Sequence, residues 1–327
     1  MDKELKTPLV SIICLTYNQA QYIRKTLEGF VMQKTNFPIE ILIHDDASTD
    51  ETADIIREYE NKYPQIIKPI YQQENQYSKK VAIGATYIYP KVKGKYIALC
   101  EGDDYWIDPL KLQKQVDFLE SHLDYALVYT RTYIYIQEKE TIEPYTFGDE
   151  YQGYASLLAT NCIPTLTVCI RTNAMLQYLN DVKPQKRNWL MGDYPAWLWL
   201  AYYYKIKFMS DITSVYRILK ESASHSQDPR KYEDFVLSEI DMKNFYIQKF
   251  GRVSEEYLQK INLTYYNVFD KYMRAANYKK VKHYANLIDP NYISKRLRKK
   301  VRIFHLRYIK FWFKKQIGKE SFKYHQH

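Results

Sequence analysis

A predominantly apolar run, interrupted only by Ser11, extends from Leu9 to Leu15 and stops at Thr16-Tyr17-Asn18. A run of this length bounded by polar residues reads as a strand buried on both faces. From Gln19 to Gln33 the pattern changes to helical spacing, with Tyr22, Ile23, Leu27, Phe30 and Val31 on one side. Ile39 to Ile43 reads as the second strand, ending in His44-Asp45-Asp46-Ala47-Ser48-Thr49-Asp50-Glu51. Ser48 and Glu51 have capping-box spacing ahead of a helix from Thr52 to Tyr63. A third strand is predicted over 66–71, a polar loop over 72–80 and a weaker helix over 81–89. The next run, Tyr96 to Cys100, ends in Glu101-Gly102-Asp103-Asp104. Asp108-Pro109 has the form of a cap and a first helical proline, opening a helix from Leu110 to Leu119. Strands alternating with helices over this length predict an α/β fold with a doubly wound, mostly parallel sheet.

Beyond His122 the rhythm loosens. Ala126 to Ile136 alternates and is rich in tyrosine, which suits one or two further strands, and Thr165 to Ile170 reads as another, antiparallel or mixed. Asn188 to Leu200 is an aromatic helix carrying one acid, Asp193, at its start. Ser214 to Arg217 is a strand ending in a cation, followed by a polar loop that holds His225. Segments 232–250, 254–276 and 278–287 are helical in pattern and carry no chemistry of their own. From Tyr292 an apolar stripe through Ile293, Leu297, Val301, Phe304, Tyr308, Phe311 and Trp312 recurs at helical steps, with cations on the other faces. Residues 1–228 are therefore expected to form the α/β unit, and 229–327 a helical region ending in a basic amphipathic helix at about 292–317.

Charge sharpens this division. The net charge is +10, yet Asn291 to Lys319 contains eleven Lys and Arg and no acid, leaving 37 basic against 38 acidic residues elsewhere. A near-neutral body with a cationic tail disfavours a nucleic-acid binder and suits contact with an anionic membrane surface. The alternative for that helix is an ordinary surface helix packed on the core. Cys14, Cys100, Cys162 and Cys169 have no metal-site or disulfide-framework spacing, no apolar run of about 20 residues occurs, and Met1 to Pro8 has no hydrophobic signal region. The expected location is cytoplasmic, peripheral on the inner membrane face.

The candidate chemistry lies at strand ends. Asp103 and Asp104 close a strand where an open α/β sheet has its ligand crevice, and paired carboxylates there can hold a divalent cation that bridges phosphates. Asp45 and Asp46 close a second strand ahead of the capping residues. Asp193 suits a helix cap and a catalytic carboxylate alike, and the roles are compatible. His225 is either a solvated loop residue or a ligand to metal or phosphate. No G-x-G-x-x-G follows the first strand, which removes the main support for a dehydrogenase.

Three stretches together, 10–18, 43–52 and 94–106, resemble the N-terminal signatures of bacterial family 2 glycosyltransferases, which have the nucleotide-sugar-binding GT-A fold. The similarity extends in order and spacing over roughly residues 8–220. It implies Thr16, Tyr17 and Asn18 around the nucleotide base, Asp46 accepting a hydrogen bond from the base, Asp103 near the ribose and Asp104 on the metal, Mn²⁺ or Mg²⁺. Gly102-Asp103-Asp104 stands where some members have Asp-x-Asp. Asp193 matches the general base of inverting members, though Gly192 replaces a frequent glutamate. Arg217 or His225 would then contact the leaving diphosphate. The expected activity is transfer of a sugar from a nucleotide-sugar donor, UDP-linked, to a glycan or lipid-linked glycan acceptor in cell-surface polysaccharide synthesis. The rival readings are a nucleotidyltransferase, for which the chain lacks a glycine-rich basic phosphate loop, and a non-catalytic membrane- or glycan-binding protein.

Overall fold

The computed structural model describes residues 7–220 and 228–316, with side chains to residue 306. Two strand–helix steps and two further strands open the described chain: β1 (Val10–Thr16), α1 (Ala20–Val31), β2 (Ile39–Asp45), α2 (Thr52–Lys62), β3 (Ile67–Tyr71) and β4 (Tyr96–Leu99). There follow β5 (Tyr105–Trp106), α3 (Lys111–Ser121), β6 (Tyr125–Ile136), β7 (Thr141–Phe147), α4 (Tyr154–Ala159), β8 (Cys169–Arg171), α5 (Thr172–Val182), α6 (Tyr194–Tyr203) and β9 (Lys205–Ile218). The nine strands among the described residues lie in one sheet, in the order β3-β2-β1-β4-β8-β6-β9-β5 with β7 beside β6. The first four pair in parallel, and β8 runs antiparallel to both β4 and β6.

Register brings the predicted strand ends together. Thr16 lies beside Asp45 and Ile13 beside Leu99, so β1, β2 and β4 all stop at one rim. Side chains of β1 alternate between two cores. Val10, Ile12 and Cys14 pack under α1, α2 and α3. Ile13 packs on the other face with α4, α5 and α6. Helix α6 explains its own sequence: Tyr194 to Leu200 are all buried, apolar on every side because the helix is enclosed on every side. Each of its large side chains contributes about 1.5–3 kcal/mol by leaving water.

Several local expectations are corrected. Ser48 and Glu51 do not form a capping box: the Ser48 hydroxyl donates to Asp45 Oδ1 at 2.5 Å, and Asp50 Oδ1 accepts the Thr52 N–H at 3.0 Å. The nearer carboxylate wins because Ser48 is drawn back to the strand end. Helix α3 starts at Lys111, past Pro109, whose carbonyl accepts the Lys34 N–H at 2.8 Å. Residues 81–89 yield one π-helical turn, Gly84–Ile88, and a 3₁₀ turn, Tyr89–Lys91, instead of an α-helix. Thr165–Thr167 is a 3₁₀ turn and only Cys169–Arg171 is strand, since the Leu166 and Thr167 carbonyls accept from Trp106 Nε1 at 2.7 Å and Gln115 Nε2 at 2.8 Å.

Four helices follow: α7 (Pro229–Phe250), α8 (Glu255–Arg274), α9 (Tyr278–Leu287) and α10 (Lys295–Gln316). Tyr246 of α7 is fully buried against α6, donating its hydroxyl to the Pro195 carbonyl at 2.6 Å, so the helical region shares the core of the α/β unit. Ile293, Val301 and Phe304 are buried on α8 and α9, with Phe304 edge-on to Phe269 at 5.7 Å. The first half of the basic helix's apolar stripe is thus core. The side chains of Tyr308, Phe311 and Trp312 lie outside the described residues. No helix among the described residues is long and apolar enough to cross a membrane.

Candidate active site

The loop after β1 and the loop after β2 are tied to each other. Asn18, at φ 51°, accepts the Thr49 N–H on its side-chain oxygen at 2.8 Å, while its own N–H donates to Ser48 Oγ at 2.9 Å. Asparagine tolerates this left-handed backbone better than most residues. Thr16 is buried and its hydroxyl has no hydrogen-bond partner among the described residues, whereas Tyr17 is exposed. Asp46 is 3 % exposed, and its two oxygens accept the N–H groups of Gln76 at 2.8 Å and Tyr77 at 3.0 Å. Each oxygen keeps a second lone pair, so the carboxylate can anchor the 72–80 loop and still accept from a ligand.

The acidic turn after β4 is held from below by α1. Thr26 Oγ1 lies 2.9 Å from the Gly102 carbonyl and 2.6 Å from that of Asp104. Gly102 is required by proximity, since a Cβ there would meet Thr16 Oγ1 at 2.8 Å. Further on, Gly29 of α1 touches the Trp106 backbone so closely that a Cβ would lie 2.9 Å from its nitrogen. These contacts fix where the acids point, and they point differently. Asp104 is 3 % exposed and turns inward, accepting the Arg217 main-chain N–H on Oδ1 at 2.7 Å. Asp103 and Glu101 keep more of their surface exposed than Asp104 does.

Electrostatics shows how closely the acids are gathered. Glu101 is pushed up to about 8, first by burial and then by the charges of Asp103 and Asp193. Asp103 is raised by burial, against the pull of Arg217 and a hydrogen bond from Gln19. Burial, then Asp103 and Glu101, hold Asp104 well above the usual carboxylate range. Such mutual repulsion is what a divalent cation would relieve. Among the described residues no three His, Cys, Asp or Glu side chains converge as a metal site. An ion here would therefore complete its shell with water or ligand oxygens, as magnesium and manganese do on nucleotide diphosphates.

Asp193 is the N-cap of α6: Oδ1 accepts the Tyr194 N–H at 2.7 Å, and Oδ2 accepts from the Thr165 hydroxyl. Its charge adds to the upward shift at Glu101, after burial and Asp103, although the two acids belong to different parts of the chain. Arg217 is 9 % exposed and donates Nη1 to the Asp103 carbonyl at 2.5 Å. It braces the acidic turn from behind. His225 lies outside the described residues. The reading of residues alone assigned no part to Glu101, Thr26 or Thr165. Glu101-Gly102-Asp103 is itself an acid-x-acid spacing and could have been noticed, but Thr26 and Thr165 act through the fold and leave no local signal.

With this geometry in view the comparisons are specific. The pattern described as Glycosyl transferase family 2 matches residues 11–179. The chain belongs to glycosyl transferase family 2. An uncharacterised protein of Mycobacterium tuberculosis (strain ATCC 25618 / H37Rv) is 40 % identical over 166 residues, 50 % of this chain and 46 % of that protein. The match thus spans about half the length of that relative. TuaG of Bacillus subtilis, named for teichuronic acid biosynthesis as a glycosyltransferase, is 28 % identical over 73 % of this chain and 90 % of its own. The family 2 fold recurs in S. aureus TarS 1-349 in complex with UDP, at TM-score 0.58 and 16 % identity over 97 % of this chain and 94 % of that one. It recurs also in the mannosyltransferase PcManGT of Pyrobaculum calidifontis in complex with GDP-Man and Mn²⁺, at TM-score 0.53 and 16 % identity over 86 % and 74 %. The α/β GT-A architecture with C-terminal helices is that of this protein.

Proposed function

We propose that the protein is an inverting glycosyltransferase that moves a sugar from a UDP-linked donor to a hydroxyl of a glycan or lipid-linked glycan acceptor in cell-surface polysaccharide synthesis. What supports this reading is an acidic turn at the end of β4 together with a separate carboxylate, Asp193, held as a helix cap and acting electrostatically on Glu101 of that turn. Binding alone needs no second carboxylate held apart from the first.

Thr16, Tyr17 and Asn18 form the wall for the nucleotide base and ribose, with Asp46 accepting from the base on a lone pair the loop leaves free. Glu101 and Asp103 would hold the divalent ion. The sequence resemblance put the ion on Asp104, but that carboxylate is turned into the protein and occupied by a main-chain N–H, so its role is to set the turn. Bound Mn²⁺ or Mg²⁺ would supply a positive charge against the departing diphosphate. Asp193, oriented by Thr165 and the start of α6, takes the proton of the acceptor hydroxyl as its oxygen attacks the anomeric carbon. The bond from that carbon to the diphosphate oxygen breaks on the opposite side, which inverts the centre. Arg217, assigned a diphosphate contact by resemblance, acts on the leaving group through the turn it braces. Membrane contact falls to the second half of α10, since the first half of its stripe is covered.

The test is calorimetric titration with UDP, GDP and CDP, each with Mn²⁺ and with EDTA. Binding of UDP that needs the ion supports the reading. Absence of any nucleotide binding would overturn it in favour of a non-catalytic glycan- or membrane-binding protein.

A further inference from the structure

A cleft of about 260 Å³ beside α1 is lined by Gln21, Tyr22, Lys25, Tyr105, Tyr135, Gln137 and Arg217. None of these residues is among the groups around Asp193. Its chemistry is one-sided: two cations, three phenol rings and two amides, with no carboxylate in the lining. The Arg217 guanidinium carbon lies 5.0 Å from the Tyr22 ring centroid, 4.9 Å from Tyr105 and 6.0 Å from Tyr135. Lys25 Nζ sits 4.1 Å over the Tyr105 ring. Arg217 is 9 % exposed, and its Nε is buried without a hydrogen-bond partner among the described residues. A buried guanidinium N–H left unmatched costs free energy that an incoming acceptor oxygen would return.

We propose that this cleft binds an anionic sugar residue of the acceptor glycan, one carrying a carboxylate or a phosphate. The inference rests on the glycosyltransferase reading for the word acceptor, and on the cleft alone for the ligand's chemistry. The volume is below the roughly 300 Å³ of drug-sized pockets and suits one ring with its substituent. Tyrosine faces match the apolar face of a sugar, the amides of Gln21 and Gln137 can exchange hydrogen bonds with hydroxyls, and Arg217 with Lys25 meets the charge. The same Arg217 donates to the Asp103 carbonyl, so an occupied cleft adjoins the acidic turn through a single side chain.

The experiment titrates the full chain with glucuronate, glucose 6-phosphate and neutral glucose, each with and without saturating UDP and Mn²⁺, following tyrosine and tryptophan fluorescence. At least one of the anions should bind about tenfold or more tighter than glucose, undisturbed by UDP. The tighter of the two names the anionic group. Lys25→Gln should weaken the anion by about fivefold, the upper range for one partly exposed charge contact, and leave glucose unchanged. Equal binding of anions and glucose overturns the proposal. So does displacement of the anion by UDP, which would make the cleft part of the donor site. UDP titrated by itself reads the donor site separately, so failure of the cleft and failure of the glycosyltransferase reading give different results.

Discussion

Asp103 and Asp104 are neighbours with opposite environments, and substituting each separates a ligand from a structural carboxylate. In Asp104→Asn the amide oxygen can still accept the Arg217 N–H now taken at 2.7 Å. The change also removes a charge that Asp103 and Glu101 disfavour. Melting temperature should hold or rise, and UDP binding should keep its Mn²⁺ dependence. Asp104→Ala removes the acceptor and leaves a buried main-chain N–H unpaired, at about 1–3 kcal/mol. With about 2–4 °C per kcal/mol for a domain of this size class, melting should fall by roughly 2–12 °C, less whatever relief of repulsion returns. Asp103→Asn should leave melting nearly unchanged and weaken Mn²⁺-dependent UDP binding by more than the roughly 10–100-fold that outer-shell changes cost. Calorimetry with UDP and Mn²⁺ and differential scanning of each variant read both quantities. If Asp104→Asn abolishes the metal dependence while Asp103→Asn preserves it, the ion belongs on Asp104 and the argument from its burial is wrong.

Asp193→Asn should lower transfer by several orders of magnitude with UDP affinity changed less than about threefold, because only the proton acceptor is lost; comparable loss of UDP binding in the same titration would remove it as the base. Metal-dependent UDP affinity should rise with pH and level off above 8, because the ion needs the ionised form of Glu101; at pH 6, two units below its value of about 8, affinity should lie about a hundredfold below the plateau, and a flat profile in Glu101→Gln would assign it. The same group makes the ligand-free fold less stable as pH rises from its ordinary 4.5 to about 8, since the folded form binds the proton more tightly than the unfolded one, and thermal melts across that window should show the decline. Glu233→Ala should cost about 1–3 kcal/mol, because the buried carboxylate accepts from Tyr272 and Tyr284 hydroxyls, each at 2.5 Å, and pairs with Lys280 at 2.7 Å; a two-state denaturant series checks this. Deleting residues 307–327 should leave the fold and UDP binding intact and release the protein from anionic vesicles in a sedimentation assay, and continued sedimentation would end the membrane proposal.

Strand and helix order through Ser121 was legible, apart from the helix expected over 81–89 and the short strand β5, because each of the other elements states its period in a handful of neighbouring residues. The acidic strand ends were legible for the same reason, as was the isolated acid ahead of an aromatic run. Boundaries were less so where a distant group intervened. Nothing within 165–170 announces that Trp106 and Gln115 will claim its carbonyls, and nothing around Ser48 tells that Asp45 will outbid the helix for its hydroxyl.

The sequence by itself determined that this is an α/β protein with acids at the ends of buried strands, a lone acid at a later helix start and a basic final helix. Only the tertiary structure decided which acids face the crevice. Asp103 and Asp104 are adjacent letters of one type, and their difference arises from β9, more than a hundred residues away, whose main-chain N–H at Arg217 draws Asp104 inward. Register among β1, β2 and β4 then sets the strand ends level, and the enclosure of α6 brings Asp193 within the field of Glu101. Periodicity is a property of neighbours along the chain, whereas exposure and field depend on what the other elements place nearby.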